Sequence, residues 1–136
     1  MERDDLNTPD AGRARAEREY TCLFRIAERH ADSESRRARS SNQHLVEPHE
    51  AVRLVAGLAG GSLVPDGDEP DVDEEDVMAA LTLMPKVRAD LDQLEAMLLL
   101  AGRQRDMTWQ RIAYGLGLGS AQAARQRYER LTQRTT

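Results

Sequence analysis

Residues 108–131, Thr-Trp-Gln-Arg-Ile-Ala-Tyr-Gly-Leu-Gly-Leu-Gly-Ser-Ala-Gln-Ala-Ala-Arg-Gln-Arg-Tyr-Glu-Arg-Leu, place three glycines within five positions between two short amphipathic patterns. Thr108 offers a hydroxyl to an orphan backbone N–H, and Trp109, Ile112, Ala113 and Leu116 follow at helical spacing. The pattern predicts a short first helix. Gly115, Gly117 and Gly119 mark where it stops and the chain turns, because glycine takes positive φ without a Cβ penalty. Leu118 is expected to plug the turn. Ser120 caps a second helix, in which Ala121, Ala124, Tyr128 and Leu131 form one apolar stripe. The two helices and their turn constitute a helix-turn-helix.

At about 100° per residue, the second helix turns Gln122, Gln126, Glu129, Arg130 and Gln133 outward, with Arg125 and Arg127 on the flanks. Glutamine suits bidentate contact with adenine, and arginine reads guanine or clamps phosphate. Ser120 and the free N–H groups of the first turn suit a phosphate oxygen, and Ala121 and Ala123 permit close approach to a groove. The expected DNA-contacting residues are Thr108, Arg111, Ser120, Gln122, Arg125, Gln126, Arg127, Arg130 and Arg134. Gln122, Arg125 and Gln126 are assigned to bases; Arg111, Arg127, Arg130 and Arg134 are assigned to phosphates.

Charge is distributed in step with this reading. Residues 1–43 carry nine Arg against nine acids, residues 44–98 three basic residues against thirteen acids, and residues 99–136 seven Arg against Asp106 and Glu129. A net charge of −5 and a pI near 5.2 thus conceal a basic C-terminal end. A phosphate backbone senses charge within a Debye length of roughly 8–10 Å, so the local excess outweighs the net value. Eighteen of the nineteen basic residues are arginine, a bias that reads as GC-rich coding, so the choice of Arg over Lys carries no functional weight.

The segment resembles the helix-turn-helix of small actinobacterial DNA-binding proteins, in which Trp-x-x-Ile-Ala-x-x-Leu-Gly precedes Gln-Ala-Ala-x-x-Arg-Tyr. It is also similar to the helix-turn-helix of sigma-factor C-terminal regions and of resolvase-like regulators. Trp109, Ile112, Ala113, Leu116, Gly117, Gln122, Ala123, Ala124, Arg127 and Tyr128 match as they stand. The turn holds one residue more than the general motif, most simply Gly119. The resemblance covers about the last third of the chain and implies double-stranded DNA as partner and transcriptional control as role.

Upstream, an amphipathic helix is expected from about Asp10 to His30, with Ala16, Tyr20, Leu23, Phe24, Ala27 and Ala31 on its apolar face. Residues 32–43, rich in Ser and Arg, read as a solvated linker or the frayed end of that helix. Pro48 opens a second helix to Ala59, with Val52, Val55, Leu58 and Ala59 inward and Gly60-Gly61 as its stop. Residues 65–73, acidic and carrying two prolines, read as a solvated linker. Asp73 caps a helix whose first turn is Glu74, Glu75 and Asp76 and whose inner face is Val77, Leu81 and Met84. Pro85 is expected to begin a separate, longest helix, with Val87, Leu91, Leu94, Leu98 and Ala101 at four-three spacing and Met97, Leu99 and Leu100 widening the arc. Such a helix needs cover on more than one side.

The expected architecture is therefore all-α: a helical N-terminal association region (1–64), an acidic linker (65–73) and a C-terminal multi-helix domain (74–136) ending in the helix-turn-helix. A single helix-turn-helix buries little DNA, so a homodimer or a protein partner through the N-terminal helix is expected. A competing expectation is an adaptor that binds polymerase, a sigma factor or another regulator through its N-terminal and acidic regions.

Other chemistries lack support in the sequence. Lone Cys22 excludes an intramolecular disulfide and a cysteine-rich zinc site. His44, His49 and Glu50 lack recognised ligand spacing, and the aspartates at 66, 68, 71 and 73 meet Pro70 and no closing glutamate, unlike a calcium loop. No nucleophile–base pair, P-loop or dinucleotide fingerprint is present, so neither an enzyme nor a cofactor is expected. No apolar run approaches the roughly 20 residues of a membrane span, and the N-terminal residues lack a signal-peptide core, so a cytoplasmic, nucleoid-associated location with no membrane partner is expected.

Overall fold

The computed structural model describes residues 11–37, 39 and 47–135, with side chains to Gln133. Among these residues the fold is all-α, with helices α1 (Ala11–His30), α2 (Glu34–Arg37), α3 (Pro48–Gly60), α4 (Glu74–Gln104), α5 (Trp109–Leu116) and α6 (Ala121–Thr135). The chain forms two compact units, Met1–Val87 and Arg88–Thr136. The division falls within α4, so the acidic segment 65–73 lies inside the first unit and does not separate two units.

The first unit closes α1, α3 and the first half of α4 around Ile26, Ala51, Val55, Ala79, Ala80 and Leu83, with Cys22, Leu23, Val52 and Val72 packed against them. Leu54 is also buried. Pro48 occupies the first turn of α3, where its missing N–H costs nothing, and Gly61 at φ 85° ends that helix as expected. Gly57 permits a close return of the chain: a Cβ there would lie 2.7 Å from Leu63 Cδ1.

Three expected inner faces are corrected. On α1, Ile26 and His30 are buried while Tyr20 and Phe24 stand exposed. On α3, Ala51 and Leu54 join Val55 inside, and Ala59 is exposed. On α4, the inward positions are Asp76, Ala79, Ala80, Leu83 and Val87, whereas Val77 and Leu81 face outward. The α1 and α4 faces were misread because a histidine and an aspartate form part of the buried stripe.

That buried polar cluster is the first unit's distinguishing feature. The His30 ring lies between two carboxylates, Nδ1 2.5 Å from Glu69 Oε2 and Nε2 3.3 Å from Asp76 Oδ2. All three side chains are fully buried. Asp76 also accepts from Arg25 Nε and Arg29 Nε. It forms a reciprocal cap with Asp73: Asp76 N–H donates to Asp73 Oδ1 at 2.8 Å, and Asp73 N–H to Asp76 Oδ2 at 3.2 Å. Glu69 accepts two bonds from Arg39 and one from the Asp66 N–H. The 65–73 segment is thus irregular as expected but anchored, because Arg25, Arg29, His30 and Arg39 draw its carboxylates inward. Arg36 bonds Asp32 and Asp66, so the stretch after α1 is likewise tied down where it is described.

Pro85 lies inside α4 and does not begin a new helix. Proline removes the bond to the carbonyl four residues earlier. Leu81 and Pro85 are both exposed, so the freed carbonyl is on a hydrated side, while Leu83 and Val87 hold the inner side in the core.

In the second unit, Leu99, Ile112, Ala113, Ala124 and Leu131 form a separate core, lined by Ala96, Met107, Trp109, Leu118 and Tyr128. Gly102 allows Met107 to pack close, since a Cβ at 102 would lie 3.0 Å from Met107 Sδ. No helix among the described residues is long and apolar enough to cross a membrane.

Candidate nucleic-acid interface

The helix-turn-helix forms at the expected residues and is held by the expected caps. Thr108 Oγ1 accepts from the Arg111 N–H and Ser120 Oγ from the Ala123 N–H, each at 3.1 Å. Each therefore satisfies a donor that its helix cannot. At the turn, Gly117 adopts φ 72°, and the next residue's N–H returns from Leu118 to the Ala113 carbonyl at 2.8 Å. This is a glycine-ended helix in which the backbone wraps its own last carbonyls.

Only one glycine of the three is conformationally required there. Gly115 lies within α5, and Gly119 is not among the positive-φ glycines. A Cβ at Gly119 would meet nothing within 4 Å. The expectation that all three glycines end the helix is corrected: Gly117 alone performs the stop.

Packing then fixes which side of α6 faces out. Ala124 and Leu131 are buried, and Tyr128 meets Trp109 with ring centroids 5.6 Å apart, tilted by 48°. Arg103 also lies over the Trp109 ring, its guanidinium carbon 4.7 Å from the ring centre. Leu116, expected inside, is the last residue of α5 and is partly exposed.

The opposite side of α6 presents Gln122, Arg125, Gln126, Glu129 and Arg130, all exposed. Among the described residues, no side-chain hydrogen bond or ion pair engages Gln122, Arg125, Gln126 or Arg130. Two shallow concavities flank Gln126, one between Trp109 and the Gln122–Glu129 side, the other lined by Leu118, Ala123, Arg127 and Arg130. Arg111 is exposed on α5, and Thr108 and Ser120 are exposed at the caps. The Arg134 side chain lies outside the described residues.

Arg127 stands apart from the other expected contacts. Its guanidinium makes a two-pronged pair with Glu95 of α4, Nε to Oε2 and Nη2 to Oε1, and that hydrogen bonding raises its pKa. This arginine ties α6 to α4, so a phosphate would have to compete with a carboxylate for it. Sequence periodicity placed Arg127 correctly on the flank but held no signal for its partner 32 residues away.

One exposed group escaped the sequence reading. Tyr114 is 88% exposed on α5 and lines an open concavity with Arg105, Gln110 and Arg111. An aromatic off the apolar stripe of a short helix was its only sequence signal.

No group of three or more potential metal ligands occurs among the described residues. His44, weighed above as a ligand, lies outside them. Compared with protein-family models, with curated proteins and with solved structures, the chain has no match.

Proposed function

We propose that the protein binds double-stranded DNA with sequence preference by inserting α6 into the major groove, and acts as a transcriptional regulator or DNA-organising factor of the nucleoid. The observation that carries this reading is the outward face of α6. Gln122, Arg125, Gln126 and Arg130 are exposed and unengaged on a helix whose other side is packed and whose N-terminus is capped. Gln122 and Gln126 offer paired donors and acceptors to a base edge, Arg125 beside them suits a base acceptor, and Arg130 supplies a phosphate clamp. Thr108 and Ser120 already bond their own helices, so any phosphate contact from them would be shared.

A salt titration of binding to duplex DNA tests this. The affinity should fall steeply with salt, Arg130→Ala should weaken binding and flatten the slope by about one counterion, and Arg125→Ala should weaken binding by loss of a base contact. Absence of binding at low salt, or an unchanged slope, would contradict the reading.

A specific observation favours the adaptor reading as the second. Tyr20 and Phe24 stack on α1 with ring centroids 6.4 Å apart, and both are largely exposed. Purified RNA polymerase holoenzyme that binds the full chain but not its Tyr20→Glu, Phe24→Glu variant would support it; equal binding, or none, would remove it.

A further inference from the structure

The second half of α4 is apolar on two sides, and the structure covers one. Ala96 and Leu99 face the α5–α6 core, Gly102 packs against Met107, and Glu95 receives Arg127. Around the helix from these positions run Leu91, Leu94, Leu98 and Ala101 at three-four-three spacing, with Met97 beside them. Leu91, Leu94, Met97 and Leu98 are 54%, 55%, 59% and 72% exposed. Single exposed leucines are ordinary; four large apolar side chains on one helical stripe are not.

We infer that this stripe is the contact between two copies of the chain. Side chains this exposed amount to an apolar patch on the order of 400 Å² per copy, about half of what one partner contributes to a standard interface. With its polar margin the patch suits a small, reversible homodimer in the micromolar range. Positions 1–10, 38 and 40–46 hold few apolar residues, Met1, Leu6, Ala38, Leu45 and Val46. They do not recur at three-four helical spacing in the sequence. A second α4 offers a cover, because a row of leucines at three-four spacing meets its own copy across a twofold axis. The stripe residues are not part of the α5–α6 core, which takes Ala96 and Leu99 from α4. Pairing through the stripe moves the expected association surface from α1 to α4.

Sedimentation equilibrium of the full chain without DNA, from about 1 to 200 µM, makes the test independent of the DNA reading. The mass should rise from 15.2 kDa towards twice that value. Leu94→Glu with Leu98→Glu should weaken the dimer by about 100-fold or more, since charge would be buried against leucine. These side chains are exposed, so far-UV circular dichroism should be unchanged; the uncharged pair Leu94→Gln, Leu98→Gln should also weaken association if charge disturbs the helix. Tyr20→Glu with Phe24→Glu should leave the dimer intact. A chain that stays monomeric throughout, a dimer that both α4 variants leave unchanged, or one that the α1 variant disrupts equally would overturn the inference.

Discussion

The two units treat their arginines in opposite ways. In the first, Arg25, Arg29, Arg36 and Arg39 turn inward or sideways onto Asp76, Asp73, Asp66 and Glu69. In the second, Arg127 is drawn to a carboxylate across helices, while among the described residues Arg125 and Arg130 on the same helix remain exposed and unengaged. A count of basic residues therefore says little about where a polyanion would bind; what matters is which of them the fold has already paired. The first unit turns four of its arginines to carboxylates of its interior and margin, and the second leaves Arg125 and Arg130 on the surface.

The strongest way to break this contrast is to remove the centre of the first unit's ionic interior. Asp76 is fully buried and accepts from Arg25, Arg29 and His30. Asp76→Ala should destabilise that unit by about 3–5 kcal/mol, because it strands buried partners without a counter-charge. Thermal unfolding followed by hydrogen exchange should show lost protection in α1 and α3 and retained protection in α5 and α6. Equal loss in both would show that the units do not keep separate interiors.

Acid should act on the same unit. Burial alone would raise the Glu69 carboxyl, but hydrogen bonds from Arg39, the Asp66 N–H and His30 outweigh it and bring the pKa from 4.5 down to about 2. A carboxylate depressed in the folded state stabilises fully above its unfolded pKa, and the gain is lost as pH falls from about 4.5 through 2. The expected loss is on the order of 3 kcal/mol. Asp76 is lowered as well: hydrogen bonds from His30, the Asp73 N–H, Arg29 and Arg25 outweigh its burial, which reinforces the sign. Glu69→Gln should be less stable than the parent at pH 7 and should lose less on acidification; a parallel pH profile for the two would refute the assignment.

Within α6 a smaller effect sharpens the comparison. Arg127→Ala should cost about 1 kcal/mol or less, the range of a partly exposed pair, whereas Arg125→Ala should leave stability unchanged within about 0.5 kcal/mol. Their ranking should invert in DNA affinity, with Arg125→Ala the more damaging. Chemical denaturation and fluorescence anisotropy on the same two variants check both halves.

What was legible in the sequence follows from how locally each feature is encoded. Caps at Asp73, Thr108 and Ser120, the stops at Gly61 and Gly117, and the inward stripe of α6 depend on neighbours within a turn or two, and each forms where it was expected. The outward side of α6 follows from the same periodicity. The ionic interior was not legible, because hydrophobic periodicity treats Asp76, His30 and Glu69 as surface residues and their side-chain partners on other segments lie 30 to 51 positions away in the chain. Pro85 misled for a related reason: its helix-breaking tendency is local, whereas the packing of Leu83 and Val87 that carries α4 past it is not. The excess of leucine in α4 was visible, but which side the helix-turn-helix would cover was set by Glu95 and Leu99 meeting α6 and α5.

The central claim, that α6 reads DNA, is tested most directly by selecting duplexes from a random pool with the full chain and sequencing those retained. The account predicts one enriched motif for the parent protein, with preference relaxed at particular positions by Gln122→Ala and Gln126→Ala and largely kept by Arg127→Ala. No enriched motif, or a motif indifferent to both glutamines, would contradict it.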